Sequence, residues 1–217
     1  ISFNVNGLRA RLHQLQAVID QHAPDIIGLQ EIKVSNEEFP LDAVNEMGYT
    51  VDFHGQKGHY GVAMLSKMPA AAITRGYPSD TDEAQRRMIH GEYSINGQTI
   101  HIINGYFPQG EGRAHPTKFP AKEKFYADLT AYLGNTFSAK DLVIVMGDMN
   151  VAPADIDVVI KPAARIPVVL VIKLAESRPV IKPPMPPPLP LPPPMPKPPP
   201  SLRCSNTAPT RQIARIR

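Results

Sequence analysis

The chain has 217 residues, enough for one substantial core or two small ones, and its one cysteine, Cys204, excludes an intrachain disulfide and a cysteine-based zinc cluster. No run is long enough to span a bilayer and there is no signal peptide, so a soluble, cytoplasmic protein is expected, in keeping with the reducing compartment that a lone cysteine fits. The net charge of +3 is split, residues 1–160 carrying 13 Lys and Arg against 19 Asp and Glu (a net of −6) and residues 161–217 carrying 10 against 1 (a net of +9), so bulk charge gives no ground for nucleic-acid binding.

A head with that excess of carboxylates would need a local basic patch, or a bound cation, to approach a polyanion. The first letters, ISFNVN, alternate apolar and polar and stop at Gly7, which predicts a strand with Asn4 and Asn6 on one face. Those two amides serve either a site or a turn cap. Because the chain opens at Ile1, within that predicted strand, a few preceding residues are expected to be missing. Leu12, Leu15, Val18 and Ile19 then trace one face of a helix over 8–22, which Pro24 ends. Asp25 to Gln30 (DIIGLQ) is a buried strand that delivers Glu31 at its carboxyl end, as a hard-cation ligand or as a solvated cap.

Residues 35–50 suggest a loop and a short helix around Leu41, Val44 and Met47. In HGQKGHYGVAML, Gly55, Gly58 and Gly61 surround Lys57, His59 and Tyr60 before another strand, a pattern that a tight hairpin explains. Arg86 and Arg87 stand among acidic neighbours and are expected on a solvated surface. Thr99 to Asn104 (TIHIIN) alternates as a strand and leads to Tyr106 and Gln109. Arg113, His115, Lys118 and Lys122 form a modest basic cluster suited to phosphates. Phe125, Leu129 and Leu133, four apart, predict a helix over 125–133.

In DLVIVMGDMNVAP, Leu142 to Met146 is an apolar, β-branched strand that breaks at Gly147 into Asp148 and Asn150. In open α/β sheets, ligands sit beyond the carboxyl ends of such strands. If the backbone stays extended there, Asp148 and Asn150 face one side. Four strand ends thus offer Asn4, Glu31, Tyr106 and the pair Asp148 with Asn150. Each alone has a structural explanation, but their recurrence at equivalent ends points to one shared site in an α/β fold.

The segments FNVNGLRAR, PDIIGLQEIKV, HGQKGHYGVA, EAQRR, INGYFPQGEGR, HPTKFPAK and VIVMGDMN together resemble the bacterial exonuclease III family, magnesium-dependent DNA-repair nucleases of the exonuclease–endonuclease–phosphatase superfamily. The likeness covers roughly residues 1–158. It implies a DNase I-like α/β sandwich of two mixed β-sheets flanked by helices, with only the first half clearly encoded. It further implies that Glu31 binds Mg²⁺, with Mn²⁺ as a substitute, and that Asn4 orders the metal and phosphate site. Tyr106 would contact the scissile phosphate, Asp148 would orient and deprotonate the attacking water, and Asn150 would steady the phosphate or oxyanion. Gln109 and Lys118 would touch the substrate. The implied partner is duplex DNA with abasic sites or 3′ ends, met by a monomer.

The family's second half brings a further aspartate and a terminal Ser-Asp-His, yet this sequence has no aspartate after Asp157 and no histidine after His115. Residues 1–160 are therefore expected to be the N-terminal part of the catalytic domain, and 161–217 a basic tail foreign to the family. Within that tail Ile166 to Leu174 suggests one strand, and Pro183 to Pro200 holds 13 prolines in 18 residues, which favours polyproline II. Such a segment is either a solvated linker or a ligand for an SH3 or WW domain. The abrupt loss of the likeness points instead to a frameshift, a fusion or provisional lettering beyond about residue 160. Two rivals follow: a catalytically inactive DNA-binding or adaptor protein with a polyproline tail, and another superfamily phosphoesterase acting on phosphoinositide or RNA, against which NGYFPQG argues.

Overall fold

The computed structural model describes residues 1–151 and the short strand Val169–Leu170. The proline-rich run lies outside the described residues, whereas Val169–Leu170 falls inside the expected strand of 166–174. Two mixed sheets face each other. The first has strands β1 (Ser2–Asn4), β2 (Ile26–Gln30), β3 (Thr50–His54) and β4 (Val62–Ser66), in the order β1-β2-β4-β3. The second has β5 (Ala72–Arg75), β6 (Met88–Ile95), β7 (Gln98–Tyr106), β8 (Leu142–Asp148) and β9 (Val169–Leu170), in sequence order. Each sheet holds one parallel pair among antiparallel neighbours: β1 with β2, and β7 with β8.

The helices lie where their apolar stripes require. Helix α1 (Leu12–His22) buries Leu15 and Ile19 in a cluster with Ile27, Leu29 and Leu65 of the first sheet. It ends at Ala23, which is left-handed and donates its N–H to the Ile19 carbonyl at 2.8 Å just before Pro24. The short helix α2 (Leu41–Glu46) buries Val44 in the same cluster. Helix α3 (Lys118–Thr136) starts seven residues before the predicted Phe125. The early start is possible because Pro120 falls in the first turn, where a missing N–H breaks no bond. From there Phe125, Leu129, Tyr132 and Leu133 pack on Ile103, Val143 and Val145 of the second sheet. Among the described residues no helix is long and apolar enough to cross a membrane.

Between the sheets lies a third apolar layer, with Val62 and Met64 against Ile89, Tyr93, Ile102 and Met146. One polar side chain crosses it. Asn104 is fully buried; its amide donates to the carbonyls of Leu29 (3.0 Å) and Ala63 (2.9 Å), and its oxygen accepts from Gln30 Nε2 at 2.6 Å. The space for it comes from Gly28, where a Cβ would lie 2.8 Å from the Asn104 amide and 2.6 Å from the Met146 methyl. Strand β6 was not expected from the sequence. Its alternation, MIHGEYSI, follows directly on the charged EAQRR run, which hides where the strand begins.

Replacing Asn104 with Leu would remove the side-chain donor to two buried carbonyls, while the Gln30 amide would keep Ser2 Oγ (3.1 Å) and the Gly28 carbonyl (3.0 Å) as acceptors. Each buried unsatisfied group costs about 1–3 kcal/mol. Asn104→Leu is expected to lower unfolding stability by about 3 kcal/mol in total after the gain in apolar volume, measured by urea denaturation at unchanged m-value.

Candidate active site

The two parallel pairs end at the same edge of the sandwich, and their last residues carry the polar groups. Asn4 closes β1. Its Oδ1 accepts the backbone N–H of Asn6 at 3.1 Å, so it is a turn cap; its Nδ2 also donates to Glu31 Oε1 at 2.7 Å and to Asp148 Oδ2 at 2.8 Å. The cap is thus seen directly, and the same side chain also reaches two carboxylates. One amide therefore joins a carboxylate that follows β2 to a carboxylate that ends β8, across the seam between the sheets.

Glu31 is buried, at 8% exposure, and sits in the left-handed region with φ 53°, as does Lys33 with φ 54°. Such backbone persists only where its surroundings hold it. Here the Glu31 and Ile32 carbonyls accept from Gly7 (2.7 Å) and Leu8 (3.0 Å), while the Ile32 and Lys33 N–H groups donate to Gly61 (3.2 Å) and Tyr60 (2.9 Å). The hairpin between β3 and β4, which the glycines predicted, thus clamps the metal-ligand candidate. Lys33 Nζ lies 3.0 Å from Glu31 Oε2. Burial opposes ionisation of Glu31, but hydrogen bonds from Asn4, Lys33 and Tyr106 and the charge of Lys33 together outweigh it, holding the carboxyl below its usual 4.5.

Asp148 follows Gly147, whose φ is 149° and where a Cβ would lie 1.9 Å from the Gly105 carbonyl oxygen. Only glycine fits there, and it sets the approach of β8 to β7 just before the carboxylate. The backbone does not remain extended afterwards. Asn150 is left-handed, with φ 49°, so the expected same-side projection of Asp148 and Asn150 is corrected. Instead Asp148 Oδ1 accepts the Asn150 backbone N–H at 3.2 Å, and Asn150 Nδ2 donates to the Phe107 carbonyl at 2.7 Å.

Tyr106 ends β7. Burial first, then the charge of Glu31 and the hydrogen bond to it, push its phenol well above the usual range against the opposing charge of Arg87. It remains a protonated donor. Arg87 corrects a second expectation: its guanidinium is not on a solvated surface but stacks 4.3 Å from the Tyr60 ring centre and 4.5 Å from that of Tyr106. It also donates to the Tyr106 carbonyl at 2.9 Å and to Gln85 at 2.7 Å. A desolvated cation between two rings is a structural brace. Tyr60 and Arg87 were missed as site neighbours because each reaches the edge from a segment remote from Glu31 in sequence, and Lys33 because the positive φ of Glu31 and Lys33, which brings its amine to the carboxylate, leaves no pattern in the linear sequence.

Gln109 and Lys118 are exposed and make no hydrogen bond to the Asn4 cluster. The Gln109 carbonyl accepts from Lys122 at 3.4 Å, and Lys118 pairs with Glu111. The basic cluster is largely engaged in holding the start of α3. His115 Nδ1 accepts the N–H groups of Thr117 (3.3 Å) and Lys118 (3.1 Å), and Lys122 donates to the Asn150 carbonyl at 2.8 Å.

The lowered pKa of Glu31 makes a stability contribution that is complete above pH 4.5 and is lost as pH falls through the folded value below it. Thermal midpoints of the parent and Glu31→Gln chains, followed by circular dichroism, are expected to differ at neutral pH and to converge in acid.

Residues 1–167 match the model of the Endonuclease/Exonuclease/phosphatase family. Over 158 residues the chain is 55% identical to the exodeoxyribonuclease III of Haemophilus influenzae, covering 73% of this chain and 59% of that protein. It is 31% identical over 160 residues to the DNA-(apurinic or apyrimidinic site) endonuclease of Dictyostelium discoideum, covering 72% of this chain and 43% of that one. Among solved structures, an AP endonuclease from Archaeoglobus fulgidus matches with a TM-score of 0.65 at 37% identity, over 72% of this chain and 59% of that chain. The chain thus spans less than two thirds of the length of these relatives. The shared edge of two mixed sheets and the matched sequence on which it is built agree: the chain belongs to the endonuclease/exonuclease/phosphatase family and is exonuclease III-like over the matched segment.

Proposed function

We propose that residues 1–160 are the N-terminal part of the catalytic domain of a DNA-repair phosphodiesterase. Its reactions are incision of duplex DNA at abasic sites and removal of nucleotides from 3′ ends. The observation that carries this reading is the Asn4 amide held between Glu31 at 2.7 Å and Asp148 at 2.8 Å, which brings two carboxylates to one point.

The donor set suits a hard divalent cation. Glu31 offers a buried oxygen kept ionised by its neighbours, at an edge free of sulfur and imidazole ligands among the residues of the Asn4 cluster. Mg²⁺ is the ion we assign, with Mn²⁺ able to replace it, and Glu31 would hold it. When bound it would neutralise the charge of the scissile phosphate, whose anionic oxygens otherwise repel a nucleophile. The rest falls to this chain's own side chains. Asp148 is oriented through Oδ2 by Asn4 and through Oδ1 by the Asn150 N–H, and would take the proton of an attacking water. Tyr106, kept neutral, would donate its hydroxyl to a phosphate oxygen. Asn150 has a second amide N–H beyond the one given to Phe107, and would direct it at the phosphate or oxyanion. Loss of one such stabiliser costs about 3 kcal/mol of barrier. Gln109 and Lys118, exposed beside this edge in sequence, would touch the DNA, Lys118 by exchanging Glu111 for a phosphate.

In this reading the missing phosphate-binding histidine matters. On an abasic-site duplex with Mg²⁺, the 217-residue chain is expected to bind but to cleave far more slowly than the same residues 1–158 continued into a family-type second half ending in Ser-Asp-His. In that continued chain Asp148→Asn is expected to lower turnover by at least about 10³-fold while sparing binding, and Glu31→Gln to raise the metal concentration needed. Robust cleavage by the 217-residue chain would refute the need for the histidine. Retained turnover in Asp148→Asn would remove the base assignment, and an inert continued chain would remove the function.

A further inference from the structure

The outer face of the second sheet carries a separate group of side chains. Met88 of β6 lies in the apolar cluster beneath α3, so His90 and Glu92, at two-residue steps along the strand, point to that same side. On β7, His101 is the direct register partner of Glu92. The three are therefore neighbours on one sheet face, which α3 partly covers.

His90 is 2% exposed. Its Nε2 lies 3.1 Å from His101 Nδ1, and its Nδ1 lies 2.9 Å from the Tyr132 hydroxyl of α3. One ligand atom from each of His90, Glu92 and His101 lies within 4.8 Å of the others. The 3.1 Å spacing of the imidazole nitrogens is close to the roughly 3.3 Å expected for two nitrogens bound at about 2.0 Å around a tetrahedral ion. Glu92 is partly buried, and among the described residues its carboxylate makes no hydrogen bond or ion pair. If Nδ1–H of His90 donates to Tyr132, Nε2 presents its lone pair toward His101 and Glu92, as in metal-bound histidines whose other ring N–H is held by a hydrogen-bond acceptor. The Phe137 ring, 5.4 Å from the ring of His90 and 4.8 Å from that of His101, walls one side.

We infer that His90, Glu92 and His101 form a site for a divalent transition metal of the Zn²⁺ class, with a fourth position open to water. Two imidazoles and one carboxylate favour such an ion over the hard cation assigned to Glu31. His101 stands five residues before Tyr106 on β7, about 16 Å at strand rise, so the two sites are distinct. A metal there would fasten β6 to β7 and, through Tyr132, both of them to α3.

Co²⁺ added to the full chain is the probe. One equivalent is expected to give the visible ligand-field absorption of near-tetrahedral coordination, displaced by Zn²⁺, and Zn²⁺ is expected to raise the thermal midpoint. The absorption should vanish in His101→Gln, and affinity should fall at least about tenfold in Glu92→Gln and in Tyr132→Phe. Glu31→Gln should leave it intact. His101 and Glu92 are partly exposed, so both variants should fold, which circular dichroism checks. No Co²⁺ absorption in the parent, or absorption that survives both His101→Gln and Glu92→Gln, would overturn the site and leave a hydrogen-bonded histidine pair.

Discussion

The side-chain amide of Asn4 has two protons and gives one to each sheet. Through them a residue near the beginning of the chain is tied to Glu31 on its own sheet and to Asp148, 144 positions away, on the other. Two carboxylates at this range would repel one another in a partly buried setting, and the amide answers each with a donor. Lys33 and Tyr106 add further donors around Glu31. The electrostatic character of the edge thus comes from neutral and cationic donors, which hold Glu31 in its ionised form. The mutual position of the two sheets decides whether that arrangement exists.

That mutual position is fixed deeper in the sandwich. Asn104 spans the interior, and Gln30, the residue immediately before Glu31, is the group it holds. Asn104 stands two residues before Tyr106, and Gly147 lies directly ahead of Asp148. Glu31, Tyr106 and Asp148 therefore each follow closely in sequence on a structural residue. The polar letters of these strand ends divide between those that lock the layers and those that face outward.

The strands that deliver Glu31 and Asp148 were legible because each is a continuous apolar run that stops abruptly at a polar group, as a buried strand must. The stripes of α1 and the centre of α3 were legible for the same reason at helical spacing. The backbone past Asp148 was not, since alternation says nothing of the positive φ that Asn150 adopts. Arg87 was misjudged because its sequence neighbours are charged, while its spatial neighbours are the two rings supplied by Tyr60 and Tyr106. The His90, Glu92 and His101 group was invisible for a related reason: it depends on the register of β6 against β7, and β6 had no clear beginning.

All four strands of the first sheet come from residues 2–66, and those of the second from residue 72 onward, so a short connection over 67–71 separates the two contributions to the edge. The chain is in this sense bipartite. A cut in that connection would yield one fragment holding Asn4 and Glu31 and another holding Tyr106 and Asp148, neither of which could assemble the cluster by itself. Recombination or fragment exchange at that joint would have to preserve the fit of two surfaces as well as the identity of four side chains. Re-association of the layers would then be a prerequisite for any chemistry at their common border.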